Sequence, residues 1–366
     1  MTSPYSLRVH DLRTDRLLGY LPIGGVTFDD YIGKSGSLSG TLPAPNAQMA
    51  ARIQDILQEG RTLVDLVRGG TIVWSGIVWT ATPTADERDN YTCPIQGATL
   101  ESYYRDHLQL RDADLTYTST DQLAIARALI GYAATRTGGD LGIEMDTSQT
   151  SGVLRDRAYS RFDQPYVGRL LDDLAAVDNG FEWRINRYQD AAGARHRVLR
   201  LGYPRISIGT TDLPLKKPGL ITAHSIPRDA TAMATCWQSR GSNSNSNQAA
   251  ATTPLLSTTL TDTAAITAGW PLLDGSSDYS TVTDPATLNA HAQADLARFA
   301  RPVAIPQISV LTGSIPQPEL GSYIRVSIRD AWYPTGHNAR YRVVGLRCTP
   351  AERGRPDMTQ LYLEAA

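Results

Sequence analysis

Six histidines, three cysteines and a scatter of carboxylates are the residues able to do chemistry, and their spacing decides which chemistry is open. His10, His107, His196, His224, His291 and His337 each stand alone. None lies three or four residues from another histidine or a cysteine, the spacing that sets two metal ligands side by side. Cys93, Cys236 and Cys348 are odd in number and widely separated, with no CxxC pair, so buried free thiols are expected rather than disulfides or zinc. There is no GxSxG elbow, no compact Ser/His/Asp or Cys/His set, and no P-loop or GxGxxG between a strand and a helix. No catalytic residue, metal ligand or cofactor is therefore expected, and the chain reads as a non-enzyme.

Two carboxylate pairs are candidates for sugar cleavage, which needs two carboxyl groups about 5–10 Å apart across a cleft. Asp172 and Asp173 fall on the polar side of an amphipathic helix, and Asp112 and Asp114 in the charged loop LRDADL, so solvated faces are expected. Of the six tryptophans, Trp74, Trp79 and Trp183 sit inside strand patterns, where burial is expected. Trp270 and Trp332 lie in loop-like text and are the candidates for stacking on a ligand such as a sugar.

The elements that would position these residues alternate between β and helical texture. SLRVHDL, LLGYLP and VTFDDYI read as strands, and SGSLSGTLPAP as a turn-rich stretch. Asn46 caps a short helix through residue 59. In TLVDLVRGGTIVWSGIVWTA, Gly69-Gly70 makes a two-residue hairpin turn. Both faces of that hairpin are apolar, where a half-exposed sheet would alternate with polar residues. Leu63, Val67, Ile72, Trp74, Val78 and Trp79 are hence the candidate interface with a neighbouring domain or subunit. Helices are expected at 121–134, at 165–178 with Asp163 as N-cap and Asn179-Gly180 as stop, and at 285–300 capped by Asp284. GFEWRINRY and RHRVLRLGYP read as a strand pair, and residues 241–253, GSNSNSNQAAATT, as a flexible loop. QISVLTG, PELGSYIRVSIRD, ARYRVVGLRCTP and TQLYLEA close the chain as strands, with Ile324, Val326 and Ile328 facing in.

These readings give an α+β, mainly β protein. An N-terminal β-barrel-like domain (1–100) and a C-terminal one (303–366) flank an α+β domain (101–205) and a mixed β domain (206–302). The chain has 366 residues with 41% hydrophobic and 20% charged content, as a globular protein of two to four domains would. A formal net charge of -2 argues against a long-range field for phosphate backbones or anionic membranes. No apolar run approaches the roughly 18 residues of a membrane span, and no secretory signal opens the chain, so folding in a reducing cytoplasm is expected.

The order of elements, with four local texts, resembles the tail-hub or baseplate-hub proteins of tailed bacteriophages, also called minor tail proteins. The texts are LVDLVRGGTIVWSGIVWTATPT, YVGRLLDDLAAVDNGFEWRINR, HRVLRLGYPRI and the closing segment from PELGSYIRV to TQLYLE. The resemblance implies a homotrimer whose two β-barrels per subunit alternate in a pseudo-sixfold ring at the tail tip of the virion. It implies the distal tail protein, the tape-measure protein and tail-tip or fibre proteins as partners. DNA would pass through the channel without stable binding. Longer relatives carry peptidase, lysozyme-like or fibre extensions; this sequence stops at Ala366 after its last predicted strand, so no wall-cutting activity is expected. The alternative is a glycan-binding or glycan-degrading surface protein using Trp270 or Trp332.

Overall fold

The computed structural model describes residues 4–243, 253–302, 305–351 and 356–366. In chain order the first elements are β1 (Tyr5–Asp11), β2 (Leu17–Pro22), β3 (Gly24–Tyr31), β4 (Ser37–Pro43), α1 (Ala47–Ile56), β5 (Thr62–Arg68), β6 (Thr71–Ala81), β7 (Thr84–Ala85) and β8 (Tyr91–Ala98). Next come α2 (Glu101–Asp106), β9 (Leu115–Asp121), α3 (Gln122–Thr135), β10 (Glu144–Met145), β11 (Leu154–Tyr159), α4 (Val167–Ala175), β12 (Glu182–Gln189), β13 (Arg195–Gly202), β14 (Ile208–Lys217) and β15 (Ile221–Ser225). The last are β16 (Cys236–Asn243), β17 (Pro254–Leu256), β18 (Leu260–Thr261), α5 (Thr263–Thr267), β19 (Asp274–Asp278), α6 (Pro285–Phe299), β20 (Gln307–Leu311), β21 (Ser322–Ile328), β22 (His337–Thr349) and β23 (Met358–Ala365).

The helices follow their caps. Asn46 accepts from the Met49 N–H, and Asp284 accepts from the Thr287 N–H with Pro285 in the first turn. Asp163 is not the N-cap of α4. It ends a short 3-10 turn, the chain swings through left-handed Gln164, and the Tyr166 carbonyl accepts the first helical bond from Leu170. Asn179 does take the left-handed conformation that turns the chain after α4. SGSLSGTLPAP is not a turn-rich connection: Ser37–Pro43 is β4, paired on one side with β3 and on the other with β8. Of the predicted flexible loop, residues 241–243 belong to β16 and residues 244–252 lie outside the described residues.

The protein is mainly β, as expected. Its chain ends, however, do not close separate barrels. Their strands merge into one fourteen-stranded sheet with the path β15-β20-β23-β22-β3-β4-β8-β6-β5-β1-β2, to which β14, β21 and β7 attach. The seam is the antiparallel pair β3–β22, with Tyr31 opposite Gly345 and Phe28 opposite Cys348. One apolar core runs across it, from Tyr5, Leu7 and Phe28 to Val343, Leu346 and Leu361. Each such leucine, fully withdrawn from water, contributes about 1.5–3 kcal/mol. Tyr5 OH and Cys348 Sγ lie 3.2 Å apart across the core. Ile324, Val326 and Ile328 point into it, as their alternation predicts, and all three cysteines are buried and free.

The chain divides into two units. The first gathers Met1–Asp172, Glu182–His224 and Gln307–Ala366; the second gathers Asp173–Phe181 and Ser225–Pro306. The first unit thus combines strands from 1–100 and 303–366, and takes β14 from the 206–302 segment by pairing it with β21. In the second unit β16 pairs with β17, β18 and β19, and a small core holds Ala234, Trp237 and Ala292. The Trp237 and Phe299 rings stack there, 5.0 Å apart.

Candidate functional site

The β5–β6 hairpin turns as expected, with Gly69 at φ 57° and Gly70 at φ 88°, values an L side chain avoids. Its register is not uniform along the two strands. Val67 pairs with Ile72, but Leu66 then pairs with Trp74, leaving Val73 as the extra residue of a β-bulge. Strand side chains alternate faces, so one inserted residue moves everything beyond it to the opposite face. Trp74 therefore joins Val64, Leu66 and Val78 in the main core, and its Nε1–H donates to the Asp29 carbonyl at 3.0 Å. The other face carries Leu63, Asp65, Val67, Ile72, Ser75 and Ile77.

Both faces are covered by the chain itself. Leu63, Val67, Trp74 and Val78 are exposed by only 0, 7, 3 and 0%, so four of the six candidate interface residues lose their solvent within one polypeptide. Ile72 and Trp79 are half-buried. Trp79 donates to Ser102 Oγ at 3.0 Å and stacks on His107 with ring centres 4.0 Å apart.

The second face is built around a charge. Asp65 is fully buried among apolar neighbours of β5. His10 Nε2 lies 3.1 Å from its Oδ2, Ser75 Oγ–H donates at 2.5 Å, and Arg187 Nε from β12 donates at 2.5 Å. Arg187 reaches on to Asp15, which also receives Arg195 and Arg197. Burial pushes the Asp65 carboxyl upward, but the bonds from His10, Arg187 and Ser75 outweigh it and hold its pKa well below the carboxylate range. Asp15 is likewise lowered, its burial outweighed by Arg187, Arg197 and Arg195. A second such centre is Arg342, 3% exposed, held by Glu182 at 2.5 and 2.6 Å and by Glu364. These ion clusters tie β12 and β13 to the large sheet. Sequence reading missed them; the one available signal was a lone charge inside an apolar strand, Asp65 in LVDLV.

The remaining candidates are dispersed. Asp112 pairs with Arg136 at 3.0 Å and accepts from Tyr132 OH, while Asp114 accepts from the Arg161 N–H. Asp172 keeps 37% of its side chain exposed, as a solvated helix face would, but it is also paired. Arg105 donates to both its oxygens at 2.8 Å, Trp183 Nε1–H donates to it at 2.9 Å, and the guanidinium lies 4.5 Å from the Trp183 ring. Asp173 falls in the second unit. Trp332 is 85% exposed, on a turn where Asp330 accepts from the Trp332 and Tyr333 amides, and Trp270 is 39% exposed in the second unit. Among the described residues, no group of three or more His, Cys, Asp or Glu residues is placed to hold a metal ion, and no helix is long and apolar enough to cross a membrane.

The geometry defines a mainly β scaffold whose chain ends share a sheet and whose middle is clamped on by buried arginines. No family model matches this chain, and no curated protein matches it. Solved structures do, among them phage tail proteins and the VgrG complexes of Francisella. A tail protein from Neisseria meningitidis MC58 superposes with a TM-score of 0.61 at 14% identity, covering 100% of this chain and 97% of that one. The 43 kDa tail protein of prophage MuSo2 from Shewanella oneidensis gives 0.59 at 10% identity, with 98% of each chain covered. Prophage tail protein gp18 from Listeria monocytogenes EGD-e gives 0.51 at 14% identity, over 98% of this chain and 94% of that one. The chain thus shares its fold with phage tail proteins, as the resemblance of its sequence implied.

Proposed function

We propose that this protein is a structural, non-catalytic tail-hub component of a tailed bacteriophage. One observation carries the reading: the fold matches proteins described as phage tail proteins over nearly the whole of both chains, first strand to last. In this reading three copies form a ring at the tail tip. The ring joins the distal tail protein and tape-measure protein on one side to tip or fibre proteins on the other, and DNA passes through it. A net charge of -2 suits a channel that lets phosphates slide rather than gripping them. Gold-labelled antibody against this chain should mark one end of the tail in electron micrographs. Native mass spectrometry of the complex with the distal tail protein should give three copies. Label spread along the tube or on the head, or two or six copies per complex, would exclude this reading.

A glycan-binding role is the second reading, favoured by the exposure of Trp332. Loss of cell-wall or polysaccharide pull-down in Trp332→Ala would support it; no pull-down by the parent protein would end it.

A further inference from the structure

Two turns lie side by side at one end of the large sheet. β14 and β21 run parallel with Lys217 opposite Ile328, so the turn 218–220 after one and the turn 329–336 after the other leave the sheet together. The Arg329 N–H donates to the Lys217 carbonyl at 3.1 Å and joins them. Asp330 braces the second turn from within. Its Oδ1 accepts the Trp332 and Tyr333 amides at 3.0 and 3.2 Å, and its Oδ2 lies 3.4 Å from Lys217 Nζ and 3.5 Å from His224 Nε2. Tyr333 packs against the main core. Trp332, held on the outside of this frame, is 85% exposed, and Leu220 on the neighbouring turn is 41% exposed. A braced turn that leaves an indole in water beside a second exposed apolar residue marks a surface of contact.

Charge says what that contact is with. The chain as a whole carries a net charge of -2, yet segments 214–224 and 324–341 hold five lysines and arginines against one carboxylate, Asp330. Two of the three lysines of the protein are here. Asp330 is taken by Lys217, and Arg325 and Arg340 share Asp212 from just outside these segments. Lys216 and Arg329 are exposed and make no ion pair among the described residues. The patch therefore combines an indole, a leucine and two free cations. Tryptophan settles at the boundary between water and lipid, and lysine and arginine beside it are drawn to anionic headgroups. Sites for sugars and other small ligands enclose what they bind, and an indole 85% exposed encloses nothing.

We propose that the paired turns dock on an anionic lipid bilayer, with Trp332 and Leu220 entering the headgroup boundary and Lys216 and Arg329 meeting lipid phosphates. Each cation near such a surface strengthens binding about fivefold. The whole chain has no excess of positive charge to draw it in from afar, so the attraction acts within about 8 Å at physiological salt. The contact is independent of the hub reading and stands or falls without it.

The test floats the full chain with vesicles of phosphatidylglycerol and phosphatidylethanolamine, against neutral vesicles of phosphatidylcholine. The anionic vesicles should bind at least about tenfold more tightly, and about 0.5 M salt should remove most of that difference. Lipids brominated near the headgroup should quench tryptophan fluorescence in the parent protein and not in Trp332→Ala, which keeps the other five tryptophans. Lys216→Gln combined with Arg329→Gln should weaken binding about 25-fold. All three residues are exposed, so thermal midpoints should not move. Equal binding to the two kinds of vesicle, quenching that persists in Trp332→Ala, undiminished affinity in the double variant, or capture by a soluble anionic polysaccharide or DNA without any vesicle binding would each overturn the proposal.

Discussion

Asp65 shows what one residue does when it is buried and still charged. Its carboxylate is taken out of water, and only the bonds from His10, Ser75 and Arg187 make the ionised form favourable there. Removing the charge strands Arg187 rather than relieving the site. Asp65→Asn should therefore lower stability by about 3–5 kcal/mol in urea unfolding. The same groups set the acid limit. Asp65 and Asp15 have folded pKa values below the ordinary range, and bonds from the Thr14 amide and hydroxyl, with help from Arg61, lower Asp11 to about 2. The stability these carboxylates contribute is complete above the unfolded value of about 3.9 and is lost as pH falls through the folded values. Urea midpoints should hold steady down to about pH 5 and then drop steeply toward pH 2. A midpoint unchanged at pH 2.5 would contradict the cluster's role. At this scale the sequence was legible where a residue's surroundings are local, as with the buried cysteines and the inward Ile324, Val326 and Ile328. It was silent on Asp65 and Arg187, because their pairing spans 122 positions and leaves no periodic trace.

Elements whose signals lie within a few residues were the ones readable from sequence. Asn46 and Asp284 announced their helices, and Asp284→Ala should cost the second unit about 0.5–2 kcal/mol in thermal unfolding while sparing the first. β4 was missed because its small residues carry little strand propensity; what makes it a strand is its place between β3 and β8. The bulge at Val73 was invisible for a related reason. Apolar residues on both faces fit either register, so hydrophobic pattern could not choose, and the interface set drawn from it mixed residues of two faces. The seam makes its own demand on packing. A Cβ on Gly345 would meet the Tyr31 ring at 2.3 Å. Gly345→Ala should therefore destabilise the first unit by about 1–3 kcal/mol, and Tyr31→Ala combined with it should recover part of that loss in the same denaturation assay.

For the whole molecule, the expected α+β, mainly β character was legible, and so was the resemblance that the superpositions bear out at the level of fold. The union of both chain ends in one sheet was not, since strand pairing between Tyr31 and Gly345 is decided by tertiary fit alone. That union also makes the first unit cooperative across the sequence. Deleting Met358–Ala365 should abolish the cooperative unfolding of the N-terminal strands as well as the C-terminal ones, seen as loss of the Trp74 fluorescence transition; an intact transition would show two independent ends. The seam reaches into synthesis too. At about 5–20 residues per second, β3 leaves the ribosome roughly 15–60 s before the strand that covers it. Until β22 arrives its edge stays open and sticky. A polypeptide broken off between them lacks the strands that complete the core of the first unit, so the sheet itself acts as a ruler that only chains translated past β22 satisfy.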